Sequence, residues 1–272
     1  MYSFVVARTL PPLLLKQSPL VYVIIHLRTA AVVSLDRYIP EIQEHLRRSG
    51  FPKFIKNKVF EIKFEGGTEP KAITADRFEF QSRDGRTGVV LSENAIALHT
   101  NDYKHFDEFL ATFDKALSLI NPVLNIEFAD RLGLRYIDLV RLSEGESFQQ
   151  YMTGDILGPD STTFGVAKSM SRFELVGLSD VGTFALRHWQ MSNGNFLPPD
   201  LLPSTLNHPT ALNVEEVVSL LDLDHYFERQ LDFDADEIKQ AAWRLHDNLD
   251  RAFRKIVTEF ALAKWGSVKV EA

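Results

Sequence analysis

Not one cysteine occurs among the 272 residues, which removes disulfides, thiolate catalysis and cysteine-held metals from consideration and fits a reducing compartment. No apolar run reaches the roughly 18–20 residues of a membrane helix. The greasiest stretch, Met1 to Leu27, is interrupted by Arg8, Pro11, Pro12, Lys16 and Pro19. It also lacks the basic start and small-residue cleavage site of a secretory leader, so a cytoplasmic location is expected. Excess positive charge is missing too: the net charge is −7. Residues 1–128 carry 16 Lys+Arg against 15 Asp+Glu, whereas residues 129–272 carry 14 against 22. An overall attraction to polyphosphate or anionic membrane is thereby disfavoured.

Familiar chemical signatures are absent as well. There is no phosphate loop, dinucleotide fingerprint, nucleophile elbow or His-Glu-x-x-His helix. The eight histidines, at 26, 45, 99, 105, 188, 208, 225 and 246, form no ligand-spaced pair. Neither a metal nor an organic cofactor is expected. Trp243 and Trp265, on the last predicted helix, are expected to pack against a sheet, and His188, between Arg187 and Trp189, to be an exposed or half-buried strand residue.

What is present is alternation. In Asp130–Val140, Leu132, Leu134, Tyr136 and Val140 fall on one face, and Arg131, Gly133, Arg135, Ile137 and Leu139 on the other. Leu20–Arg28 repeats the pattern: Val21, Val23, Ile25 and Leu27 inward, Tyr22, Ile24, His26 and Arg28 outward. A helix is predicted at about 34–49, with Gly50 as its stop. Strands follow at 59–65, 77–82, 88–92 and 95–99, with an Asp84-Gly85 turn. A helix at about 105–121 ends before Pro122. The second half repeats the order: a short helical piece at 147–152, strands at 164–176, 183–191 and 217–227, then a helix opened by Asp234 and Glu237. Its apolar stripe runs from Ile238 to Ala263 without interruption.

Both halves thus read strand, helix, antiparallel strands, long helix. The expected fold is α+β, with two such halves fused and the helices on one face of the sheet. That element order is shared with helix-grip folds and, in tandem, with the saddle of the TATA-binding protein. The expected divisions are an N-terminal arm (1–17), a first half (18–128) and a second half (129–272) with a proline-rich surface insertion at 192–213.

Three stretches carry a resemblance: Ser18-Pro19-Leu20-Val21-Tyr22-Val23, Arg131-Leu132-Gly133-Leu134-Arg135-Tyr136-Ile137-Asp138, and Leu221-Asp222-Leu223-Asp224-His225-Tyr226-Phe227. Between about Ser18 and Trp265 the chain resembles a sporadically distributed, uncharacterised family of bacterial and archaeal proteins. Two departures stand out: Tyr22 replaces a glutamate usual in that family, and Asp138 replaces a common asparagine. The resemblance implies no established activity. The family's patchy occurrence implies a setting such as a defence or toxin–antitoxin system.

Two constellations remain. The outward faces of the motif strands gather Tyr22, His26, Arg131, Arg135, Asp222 and Asp224, the expected binding surface. Here Arg135 is expected to hydrogen-bond at least one of the two aspartates across the sheet, since a guanidinium fork fits a carboxylate. The alternative for Asp222 and Asp224 is a metal-dependent hydrolase or nuclease site. Separately, Arg47, Arg48, Lys53, Lys56 and Lys58 stand with Phe51 and Phe54 and with no acidic residue between 45 and 58, a pattern that suits single-stranded nucleic acid or simply a solvated helix end. The expected role is non-enzymatic binding of a protein partner, with nucleic acid as the alternative.

Overall fold

The computed structural model describes residues 11–65, 69–166, 168, 170–192, 194–208, 213, 214 and 216–268. Ten strands make one antiparallel sheet: β1 (Leu20–Thr29), β2 (Lys53–Glu65), β3 (Glu69–Gln81), β4 (Thr87–Ser92), β5 (Ala95–Thr100), β6 (Phe128–Val140), β7 (Met170–Leu178), β8 (Thr183–Met191), β9 (Val218–Phe227) and β10 (Leu231–Asp232). Their spatial order is β2-β3-β4-β5-β1-β6-β9-β8-β7, with β10 paired to the start of β6. Helices α1 (Ile39–Arg48), α2 (Phe106–Leu124), α3 (Phe148–Tyr151), α4 (Gly154–Leu157), α5 (Ala235–Ile256) and α6 (Glu259–Lys264) complete the α+β architecture.

Strand alternation decides which face is which. Val23, Ile25 and Leu27 of β1 and Leu132, Leu134, Tyr136 and Val140 of β6 share one core with Ile42 of α1, Phe113 of α2 and Leu245 of α5. The opposite faces bury Tyr22, Ile137, Leu139 and Leu220 in a second, smaller core. Val21 departs from the predicted alternation and packs toward this second core. The β1–β6 register shifts between Leu20 and Tyr22, and a β-bulge there turns the extra residue over.

The described part of the 192–213 segment is not a loose surface insertion. Phe196, Leu197 and Leu206 are buried on the second core. Asn207 donates twice to the β3–β4 turn, from its side-chain amide to Asp84 O (2.7 Å) and from its backbone N–H to Gly85 O (2.8 Å). The physical reason is the apolar outward face of β6 and β9, which must be covered somewhere. The predicted Phe60, Ile62 and Phe64 side chains, residues 1–10 and residues 209–212 lie outside what is described.

Several helix and strand boundaries differ from expectation; β2 and β3, for instance, begin earlier, at Lys53 and Glu69. Helix α2 runs through Pro122 to Leu124 and stops at Asn125 in the left-handed region (φ +51°), where Ile126 N–H donates to Asn121 Oδ1 (2.7 Å). Proline falls in the last turn, so few backbone bonds are lost and the buried Ile120 anchors the turn. The long final helix breaks at Val257, which bridges to Met152, and Thr258 accepts from Ala261 N–H to start α6. A capping threonine and a β-branched neighbour override the continuous apolar stripe. Phe164 sits in a 3₁₀ turn, not a strand, and β7 begins only at Met170. The arm's residues Leu14–Leu15 pair antiparallel with Ser267–Val268.

Candidate functional site

On the face opposite the helices, the sheet floor between β3 and β9 is lined by small residues. Ala75, Ala95, Ala97, Ser92 and Gly133 leave a hollow where bulky side chains would have filled the space. The roof is the segment Asp200–Ser204, and the enclosed cleft measures about 460 Å³. Tyr22, His26, Arg131, Arg135 and Asp224 all line it. Asp222 does not: it lies under the roof, fully buried.

Register explains the assembly. Asp224 stands opposite Arg135 on the neighbouring strand, but the guanidinium reaches diagonally to Asp222 instead. Arg135 Nε donates to Asp222 Oδ1 (2.7 Å) and its NH2 to Oδ2 (2.7 Å), a bidentate pair. Its NH1 and NH2 also donate to Asp200 of the roof. Arg187 adds a longer contact to Asp222 (3.5 Å). Burial alone would lower the Arg135 pKa; the hydrogen bonds to Asp222 and Asp200 outweigh it and raise it. Both Asp222 oxygens are thus engaged by one guanidinium. Among the described residues no group of three or more His, Asp or Glu side chains is arranged to hold a metal.

Gly133 has a specific task here. A Cβ on it would meet Arg131 NH1 at 3.1 Å and Tyr226 Cβ at 3.2 Å. Its absence lets the Arg131 guanidinium lie over the Tyr226 ring, 4.3 Å from the centroid, a cation–π arrangement. The ion pair from Arg131 to Glu228 is long, 3.9 Å. His26 is opposite Gly133 in register, and its Nδ1 is buried without a hydrogen-bond partner. Burial, then the positive charges of Arg131, Arg28 and Arg77, push the His26 pKa down to about 4. Asp224, by contrast, is shifted upward by burial, with Arg135 and Arg131 opposing.

A second polar chain walls the other side. Tyr22 OH is 2.8 Å from His99 Nδ1, and His99 Nε2 is 3.0 Å from Glu79 Oε1. An ionised Glu79 accepts from Nε2–H, leaving Nδ1 to accept from the tyrosine. Thr205 of the roof and Gln81 donate to Glu79 as well (2.6 and 2.7 Å). Burial would raise the Glu79 pKa, but His99 and these donors hold it down at about 2. Burial raises that of Tyr22. Arg77 lies 3.7 Å from Glu79, and its Nε is buried and unpartnered.

Arg77, Glu79, His99 and Asp200 were not singled out in the sequence. The first two had a signal: Phe78 and Phe80 point inward, so their neighbours on β3 must point to the cleft. Asp200 sits in a proline-rich loop with no periodicity to read. Part of the basic stretch is paired with carboxylates. Glu44, one turn earlier, pairs with both Arg47 (2.8 Å) and Arg48 (2.5 Å), and Asp76 across the strand pairs with Lys56 (2.8 Å). Phe51 is buried and Phe54 stacks on Phe78, while Lys53, Lys56 and Lys58 lie on the edge strand β2 away from the cleft. His188 is fully buried, with Nε2 2.6 Å from Ser219 Oγ, which corrects the expectation of an exposed strand residue.

No family model, curated protein or solved structure matches the chain.

Proposed function

We propose that the chain is a binding protein, without chemistry of its own, that takes an acidic segment of a partner protein into the cleft between Arg77, His26 and Arg131. The observation that carries this reading is the pair of buried, unpartnered polar atoms in the cleft wall, His26 Nδ1 and Arg77 Nε. Buried polar groups without partners are costly, and a ligand that supplies partners recovers that cost. A carboxylate fits between two guanidinium groups. A cytoplasmic setting agrees with the lack of cysteine, and the patchy family that the chain resembles supports a defence or toxin–antitoxin context.

We also read the sheet as a duplicated, saddle-like unit of the helix-grip kind. Support comes from strand order: β1 pairs with the last strand of its meander, β6 pairs with the last long strand of its own, and the two first strands meet at the centre. The cleft then straddles the junction of the halves.

Calorimetric titration with a blocked tri-glutamate peptide, trilysine, inorganic phosphate and a twelve-residue thymidine oligonucleotide tests the reading. Tri-glutamate is expected to bind, to lose at least about tenfold in affinity in Arg77→Ala and Arg131→Ala, and to be indifferent to charge reversal of Lys53, Lys56 and Lys58. Oligonucleotide binding that is tighter and lost on that reversal would establish the nucleic-acid alternative. Metal-dependent phosphodiester cleavage abolished by Asp224→Asn would establish the hydrolase.

A further inference from the structure

The opposite face of the sheet carries a second hollow, of about 410 Å³, separate from the cleft. Its floor is Tyr136 and Asp138 of β6 with Leu223 of β9; α5 and the arm residues Leu13–Leu15 form its walls. Leucines and Phe253 make its apolar part. Asp138 is 4% exposed, faces the helix side of its strand, and has no hydrogen-bond or ion-pair partner among the described residues. The nearby hydroxyls are otherwise engaged. Tyr136 OH is 2.9 Å from His246 Nδ1 and 3.5 Å from Tyr103 OH.

The charged groups around this hollow are arranged unevenly. Asp250 of α5 faces it, paired with Arg254 (3.0 Å). An adjoining pocket of about 60 Å³ adds Asp107 and Asp247 beside Trp243 and Phe106. Of the cations that line it, Lys104 pairs with Asp102 (2.8 Å), His105 lies 3.6 Å from Glu108, and Lys16 is exposed. Acidic groups and aromatic rings therefore flank a partly apolar cavity whose one buried carboxyl lacks a counter-charge, the combination that recognises an organic cation.

We infer that this hollow is a binding site for a small primary amine with an apolar body, its ammonium paired with Asp138 and its hydrocarbon against Leu223, Leu249 and Phe253. Burial lifts the Asp138 pKa to about 8, so near pH 7 the empty site holds a neutral carboxyl. An arriving ammonium stabilises the carboxylate and expels the proton to solvent. The ammonium keeps its own three protons, so the overall step is ligand uptake with release of one proton.

The test is calorimetric titration at pH 7 with n-hexylamine and its neutral isostere hexan-1-ol, in two buffers of different ionisation enthalpy. Hexylamine is expected to bind at least about tenfold tighter than hexanol, with close to one proton released per amine. In Asp138→Asn both the preference and the proton release are expected to vanish while the thermal midpoint holds or rises. Arg77→Ala, on the other face, is expected to leave amine binding unchanged, so failure of either site is read independently. Absence of hexylamine binding, equal binding of the alcohol, or amine preference retained in Asp138→Asn would each overturn the proposal.

Discussion

Arg135 shows how a single residue can be legible in role and yet misplaced in surroundings. The alternation of β6 put its guanidinium on the helix-free face, and the aspartates of β9 were the natural acceptors. The pairing falls on Asp222, which is fully buried, while Arg135 itself is 12% exposed. Arg135→Ala is therefore expected to cost about 3–5 kcal/mol by stranding a buried carboxylate, with Arg187 limiting the loss. A chemical denaturation midpoint that barely moves would show the pair to be dispensable. Asp138 predicts a pH dependence of the opposite sign. Its pKa is raised from the usual carboxylate value to about 8, so between those values the folded state holds a proton that the unfolded state has lost. Stability contributed at low pH is lost as pH rises toward 8, with a slope of up to about 1.4 kcal/mol per pH unit. His26 and His188, both lowered to about 4, act the other way between pH 4 and 6.5, where the unfolded chain binds more protons. Above pH 6.5 the Asp138 contribution stands alone among these three. Thermal midpoints are expected to fall from pH 6.5 to 8 in the natural chain and to stay level in Asp138→Asn.

Among the elements, the segment after β8 changed meaning most. Read as a proline-rich insertion, it had no periodicity to suggest burial, yet Phe196 is 1% exposed and Asp200 and Thr205 bind the two polar chains of the cleft. If the segment belongs to the cooperative fold, Phe196→Ala is expected to cost about 3–5 kcal/mol, measured by denaturant unfolding. A cost under about 1 kcal/mol would return it to the class of independent surface loops. Helix α5 gives the contrasting case. Asp234 accepts from Asp236 N–H (2.9 Å) and Glu237 N–H (3.0 Å), as its position before the apolar stripe implied. Asp234→Ala is expected to lower stability by about 1 kcal/mol, and restoration by serine at that position would identify capping as the cause.

At the scale of the whole molecule, the pairing of β1 with β6 joins the two halves into one sheet over one large core. Leu134 and Ile25 sit opposite each other in that pair, so neither half can shed the other without exposing apolar surface. Calorimetric unfolding is expected to show a single transition with equal van't Hoff and calorimetric enthalpies. Two resolved transitions would mean that the halves are thermodynamically separate.

Strand faces, helix starts and the α+β class could be read from local sequence because each depends on side chains a few residues apart. Alternation places Leu132 and Arg131 on opposite faces whatever the rest of the chain does. Asp234 caps its own helix, and Gly50, at φ +109°, ends α1 within one turn. The cleft depends on residues far apart in sequence. Asp200 meets Arg135 across 65 positions, and Thr205 meets Glu79 across 126. The partner of Lys56 likewise needed Asp76 to arrive by strand pairing. Which polar groups find partners, and which, like His26 Nδ1 and Arg77 Nε, are left without one, is decided only when the sheet closes and water is excluded.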